Sequence, residues 1–304
     1  MRFREGQKHG PYRLENRVGD GGQAQVWLAV DESRKNHVAL KLLVGPTPAK
    51  IRVFEREAQL ASALRSPHTI RILDAGVTDD SVHFIAMEHL VGHDLDEMVK
   101  LFGPTVPSHA SHLVKQACLS LEEAHAMELV HRDVKPSNLF ASENGGQRDI
   151  VKLLDFGVAR STAEDTDQTS TAVRGTPTYM SPEVCRGVTP AAAADIYALG
   201  ATLYFLVTGT PPFVGDTFQV IQGHRQNAPE RPSQRLGREL PADFEAVILR
   251  CLAKEPADRY ASAADLRAAL EACHLPPWTP EEAKQFWEHE KNELVRRWTD
   301  KTIV

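Results

Sequence analysis

This 304-residue sequence predicts an α+β protein in two lobes, a small antiparallel sheet with one helix followed by a larger, mainly helical lobe. Three observations lead there. Residues 12–45 are rich in glycine and valine with alternating apolar positions, the period of strands in an antiparallel sheet. Residues 50–65 switch to helical spacing, with Phe54, Ala58, Ala61 and Leu64 recurring every three or four positions. Two more strand-like runs, Ile70–Leu73 and His83–Met87, precede a break at Gly92, after which helical patterning dominates. That order places a cleft between the lobes, a common place for a ligand site.

Hydrophobic content of 42% and charged content of 25% are those of a soluble globular chain. A formal charge of −6 counts against nucleic acid and anionic membranes as partners, since both favour basic patches. Cys118, Cys185, Cys251 and Cys273 are scattered without the paired spacing of metal sites, so reduced thiols are expected. The amino terminus leads into polar sequence rather than an apolar signal region. The longest apolar stretch, near Ala198–Val207, is too short to span a bilayer and reads as a buried helix. A cytoplasmic location with no membrane partner is the expectation. Residues 161–172 are small and polar and read as a loop. The chain divides into a segment 1–11, a catalytic domain 12–273 with lobes 12–91 and 92–273, and an extension 274–304 that opens after His-Leu-Pro-Pro-Trp.

Gly19-Asp20-Gly21-Gly22-Gln23-Ala24-Gln25-Val26 lies between strand-like runs, and glycines there let backbone amides approach phosphate oxygens. Alone that is a weak signal, because a plain tight turn reads the same way. Val38-Ala39-Leu40-Lys41 ends in a lysine within an apolar strand, which calls for an anion. Glu57, on the following helix, is a plausible partner, and the pair would hold Lys41 against phosphate. Taken singly, the two also read as a solvated lysine and a surface glutamate. The decisive stretch is His131-Arg132-Asp133-Val134-Lys135-Pro136-Ser137-Asn138, followed by Leu153-Leu154-Asp155-Phe156-Gly157. An aspartate to accept a hydroxyl proton, a lysine to neutralise a moving phosphoryl group, and an asparagine and second aspartate for magnesium make a phosphoryl-transfer set.

On these motifs the chain resembles the eukaryotic-like serine/threonine protein kinases of bacteria over roughly residues 12–273, which implies the two-lobed protein-kinase fold. The resemblance implies that Gly19, Gly21 and Gly22 cover the phosphates, while Val26 and Ala39 roof the adenine. Lys41 would touch the α- and β-phosphates and pair with Glu57. Met87 matches the gatekeeper, the backbones of Glu88 and Leu90 would bond the base, and Phe140 would form the floor. Asp133 would be the catalytic base and Lys135 would steady the γ-phosphate. Asn138 and Asp155 would hold Mg²⁺ or Mn²⁺ with ATP. Phe156, beside the metal aspartate, takes a structural role. Glu183, in Ser181-Pro182-Glu183, would pair with Arg259, and Asp195 would brace the catalytic loop through its amides. Two positions depart from the pattern: Ala24 replaces the third glycine, stiffening that loop, and Ser181 replaces the usual alanine.

Lys135-Pro136 and Thr176 are the family's serine/threonine hallmarks and imply protein substrates with those acceptors. Arg132, a cation beside the base, is best settled by an anion, which phosphates on Thr169, Ser170 or Thr171 would supply. That implies autophosphorylation, in trans if two copies associate. Asp94, at the lip of the cleft, reads equally as a contact for a basic substrate residue and as a helix cap. Beyond the resemblance, Thr279-Pro280-Glu281-Glu282 is a strong helix start. Ala283, Phe286, Trp287, Leu294 and Trp298 then fall on one face, interrupted by Glu290. The favoured expectation is that this face packs on the chain's own helical lobe, the alternative being a partner.

Overall fold

Alternating side chains divide the first lobe into two apolar faces. The computed structural model describes residues 3–20, 23–156 and 177–288. Strands β1 (Lys8–His9), β2 (Tyr12–Asp20), β3 (Ala24–Asp31), β4 (Asn36–Leu43), β5 (Ile72–Val77) and β6 (His83–Glu88) form an antiparallel sheet in the order β1-β2-β3-β4-β6-β5. Val38, Leu40 and Leu42 of β4 are buried with Trp27, Ala29, Phe84 and Ala86 on one face. Residues of opposite parity, Ala39 and Leu43, join Phe54, Ala58, Ile85 and Met87 on the face covered by helix α1 (Pro48–Ala63). Thr47 caps α1 by accepting the Lys50 N–H, with Pro48 at its first position. The strand expected at Ile70–Leu73 lies instead at Ile72–Val77. It is an edge strand whose last four residues are exposed, so backbone pairing to β6 rather than an apolar run defines it.

Gly92 proves to lie within a strand. Strand β7 (Val91–Asp94) pairs with β8 (Leu139–Asn144), which pairs with β9 (Gln147–Leu153). At Gly92 φ is +148°, and a Cβ would fall 2.1 Å from the Ala141 carbonyl oxygen, so only glycine allows this approach. The β8–β9 hairpin turns through Gly145 and Gly146, both at positive φ, as a tight two-residue turn requires.

Helices make up the rest of the second lobe: α2 (Leu95–Phe102), α3 (Pro107–Ala126), α4 (Pro182–Cys185), α5 (Ala192–Thr208), α6 (Thr217–Gln226), α7 (Pro232–Leu236), α8 (Ala242–Cys251) and α9 (Ala263–Glu271). The apolar stretch near Ala198–Val207 is the buried body of α5, packed among Leu113, Val114 and Leu121 of α3 and Phe244 and Ile248 of α8. Asp94 takes the helix-cap reading, accepting the Glu97 N–H at the start of α2. Among the described residues no helix is long and apolar enough to cross a membrane.

The tail turns back onto its own chain. It is helical over 280–288, and Thr279 and Glu282 cap each other reciprocally: Glu282 N–H donates to Thr279 Oγ1 at 3.2 Å and Thr279 N–H to Glu282 Oε2 at 2.6 Å. Ala283 is buried, and Phe286 and Trp287 lie against the core of the helical lobe. Leu294 and Trp298, and the interrupting Glu290, fall outside the described residues. Truncation after Leu275 should therefore lower the melting temperature. Two aromatic side chains at ~2 kcal/mol each translate to roughly 5–15 °C, readable by calorimetry. An unchanged melting temperature would contradict the packing.

Candidate active site

A lysine projecting from a buried strand must find anions. Lys41, on the cleft face of β4, lies 2.6 Å from Glu57 Oε1 on α1 and 2.9 Å from Asp155 Oδ1 in the segment after β9. Burial works against the Lys41 charge, but the Asp155 and Glu57 carboxylates outweigh it and the lysine pKa is raised. Glu57 is pushed up, mainly by burial and also by the nearby Asp155 charge, with Lys41 opposing. Burial would raise Asp155 too, yet Lys41 holds it below the ordinary carboxylate range. Asp155 has φ +43°, a left-handed conformation uncommon outside glycine, and its side chain remains 48% exposed.

The loop from His131 to Asn138 joins α3 to β8 and hangs from one buried carboxylate. Asp195, in the first turn of α5, accepts the His131 N–H at 2.8 Å, the Arg132 N–H at 2.9 Å and a contact from His125 Nε2 at 2.8 Å. These bonds allow Arg132 to sit at φ +70°. His131 Nε2 donates to the Leu154 carbonyl at 2.8 Å while its Nδ1 accepts the Asp133 N–H at 3.3 Å, which defines a neutral ring. Burial lowers its pKa in the same sense. The ring also packs on Phe156, with centroids 4.7 Å apart.

Asp133 receives Lys135 Nζ at 2.8 Å and Asn138 Nδ2 at 3.1 Å, both on Oδ2. Asn138 Nδ2 bonds the Asp133 carbonyl as well, at 2.8 Å, and the Asn138 carbonyl accepts the Leu154 N–H at 2.9 Å. Residues 131–138 and 154–156, read separately in the sequence, are thus one hydrogen-bonded unit.

An apolar slot lies beside these charges. Val26, Ala39 and Leu90 pack against the cluster that contains Met87, and Leu154 joins them. Phe140 alternates along β8 with the core residues Leu139 and Ala141, so its half-buried ring faces the opposite side. The Glu88 N–H bonds the Arg71 carbonyl at 3.0 Å. Its carboxylate pairs with Lys152 Nζ at 2.7 Å. Leu154, Lys152 and His131 were not read as site residues; the only signal for Leu154 is an apolar residue just before Asp155.

A Cβ at Gly19 would meet only Val26, at an ordinary 3.6 Å, so the protein's own packing does not demand glycine there. Ala24 opens β3 with its methyl buried in the cluster of Leu43 and Phe54, so that departure points into the core. Glu183 and Arg259 form two parallel bonds of 2.7 Å, and Arg259 spends its remaining N–H groups on the carbonyls of Ala193, Ala253 and Lys254. Ser181 is buried at the N-cap of α4. Gly21, Gly22, Gly157, Thr169, Ser170, Thr171 and Thr176 lie outside the described residues.

Residues 12–274 match the family described as Protein kinase domain. Over 279 residues the chain is 39% identical to the serine/threonine-protein kinase PknB of Mycobacterium leprae, covering 88% of this chain and 44% of that one. It is 40% identical over 273 residues to PknE of Mycobacterium tuberculosis, covering 88% and 47%. The chain thus spans about half the length of these relatives. The crystal structure of the Mycobacterium tuberculosis PknI kinase domain superposes with a TM-score of 0.67 at 27% identity, over 89% of this chain and 99% of that one.

Replacing Asp195 by alanine strands two backbone amides beneath the loop, at ~1–3 kcal/mol each. Denaturant unfolding should show a loss of about 2–5 kcal/mol, and hydrogen exchange should accelerate at the His131 and Arg132 amides. Unchanged protection at both would remove Asp195 from its bracing role.

Proposed function

The chain belongs to the protein kinase family, and from that premise we propose that it transfers the γ-phosphoryl group of ATP to serine and threonine hydroxyls of proteins. The observation that carries this reading is Lys41 held between Glu57 and Asp155, next to an apolar cluster and tied through His131 and Asn138 to Asp133. An ammonium fixed in that position is placed to hold phosphate oxygens while Val26, Ala39, Met87, Leu90, Leu154 and Phe140 enclose adenine.

The donors fit a small hard divalent cation. Asp155 and Asn138 offer carboxylate and amide oxygens, and Asp155 is half-exposed to the cleft. Among the described residues no group of three or more histidine, cysteine or acidic side chains could hold a metal by itself. Such a donor set suits Mg²⁺ or Mn²⁺ carried in with the triphosphate. The ion would supply charge neutralisation between the phosphates.

The chain's own residues then do the following. Asp133 orients the acceptor hydroxyl and takes its proton as the oxygen bonds to the γ-phosphorus and the bond to the β-phosphate oxygen breaks. Lys135, 2.8 Å from Asp133, neutralises the phosphoryl group as it moves. His131 stays neutral and serves as a strut. Lys135-Pro136 supports serine or threonine as acceptor. Arg132 beside the base favours phosphate on Thr169, Ser170 or Thr171, added in trans by a second copy. The four free thiols, buried or half-buried, fit a reducing compartment such as the cytoplasm.

Asp133→Asn and Lys41→Met should each reduce phosphoryl transfer to a protein acceptor by about 10²–10⁴-fold. Both should keep the far-UV spectrum of the wild type, because Glu57 can take a proton when Lys41 is gone. A folded variant with wild-type turnover would take the assigned role from that residue. After incubation with Mg-ATP, phosphosite mapping should find phosphate on at least one of Thr169, Ser170 and Thr171, and the triple alanine variant should be less active. Full activity in that variant would sink the regulatory reading.

A further inference from the structure

Asp149 is the most unusual buried group outside the cleft. It stands in β9 at φ +59°, a conformation an aspartate adopts at a cost, and its side chain is wholly buried. A carboxylate so placed needs donors around it. Two come from the tail: Trp278 Nε1 donates to Oδ2 at 2.8 Å and Trp287 Nε1 donates to Oδ1 at 2.7 Å. Beside them is His109 of α3, whose Nε2 lies 3.1 Å from Oδ2 and whose Nδ1 lies 2.7 Å from Thr105 Oγ1. The His109 ring thus lies in charge contact with Asp149 without an aligned hydrogen bond to it. Burial would raise the Asp149 pKa, but His109 and the two indoles pull it below the ordinary range. Both indole donors to this carboxylate belong to the tail, so β9 is built around it.

The ring that Asp149 pins reaches the cleft by a short route. Trp287 lies flat on His93 of β7, centroids 5.7 Å apart and planes 11° from parallel, and meets Phe102 of α2 edge-on at 6.0 Å. Phe286 meets the same Phe102 at 5.9 Å and His109 at 4.9 Å. Arg148 of β9 donates to the Lys284 carbonyl at 3.1 Å. The strands gripped here are those that furnish the nucleotide site: β7 continues from Leu90, β8 carries Phe140, and β9 runs into Leu154 and Asp155.

We infer that the tail is a positioning element of the nucleotide site: Asp149 pins Trp287 against His93, which fixes β7 relative to β9 and so sets Leu90 against Asp155. This deepens the nucleotide-binding reading and rests on it. A tail that only added buried area would stabilise the fold and leave nucleotide affinity unchanged.

The test uses the full chain, with ADP affinity in Mg²⁺ measured by titration calorimetry alongside KM and kcat for ATP. Trp287→Ala and His93→Ala should each weaken ADP binding and raise the KM for ATP on the order of five-fold, with kcat changed less. Trp287→Phe keeps a ring over His93 but loses the bond to Asp149, so it should also weaken ADP binding, and wild-type affinity in it would remove the pin. Wild-type ADP affinity in both alanine variants, with only the melting temperature lowered, would overturn the inference. If Trp287→Ala fails to fold, His93→Ala carries the test, since it leaves every tail residue in place. A wild-type protein that binds ADP but transfers no phosphoryl group would refute the kinase reading while the ADP titrations still decide this one.

Discussion

One ammonium group organises the cleft. Lys41 is carried by a strand whose neighbours pack into apolar cores on both faces, so its charge is tolerable only with anions in reach. The two that reach it come from different places in the chain, Glu57 from the helix over the sheet and Asp155 from beyond the last strand of the second lobe. Bringing them to one nitrogen fixes the rotation of α1 about its axis and the closure of one lobe on the other. The apolar packing of the first lobe specifies a sheet and a covering helix. The lysine specifies which turn of that helix faces the cleft.

The same logic recurs wherever this fold buries charge. Asp195 is tolerated inside α5 because two amides and His125 meet it, and that arrangement holds the His131–Asn138 loop in a backbone conformation its arginine would otherwise avoid. Arg259 is tolerated because two carboxylate bonds and three carbonyls use all its donors, which ties Glu183 at the start of α4 to the helices beneath. In each case the expense of desolvating an ion converts a packing contact into a geometric constraint, since loss of one partner leaves the other stranded. Position is specified more narrowly this way than by apolar contact, which tolerates sliding.

How much of this was legible in the sequence depended on where the partners lie. The two faces of β4 and β6 are legible because alternation is local, and the charged motifs because each lies within a short run of sequence. Strand β7 was misread as a break at Gly92, since four residues with a 59%-exposed Val91 carry no apolar signature. What places the glycine is the Ala141 carbonyl, some fifty residues away. The Gly145-Gly146 pair is the local signal of the β8–β9 hairpin. Asp149 is the hardest case. Nothing in its neighbourhood marks an aspartate as buried, left-handed and bonded to two tryptophans about 130 residues downstream. The capped amphipathic start at Thr279 gave the docking of the tail but not the group it docks on.

Charge balance in the cleft bears on the order in which ligands arrive. Lys41 with Glu57 and Asp155 sums to −1 when both carboxylates are ionised, and Asp133 with Lys135 sums to zero. A triphosphate approaching alone would meet this net negative set of side chains. Both ammonium groups are already engaged by carboxylates. A divalent cation beside Asp155 reverses the sign. Such an ion would compete with Lys41 for that carboxylate, leaving the ammonium on Glu57 and able to turn to phosphate. The burial that raises the Glu57 pKa works in the same direction, because a carboxyl reluctant to ionise alone gains most from retaining its lysine. If the cleft takes both ligands as proposed, metal and nucleotide would favour each other's binding through the Lys41–Asp155 contact.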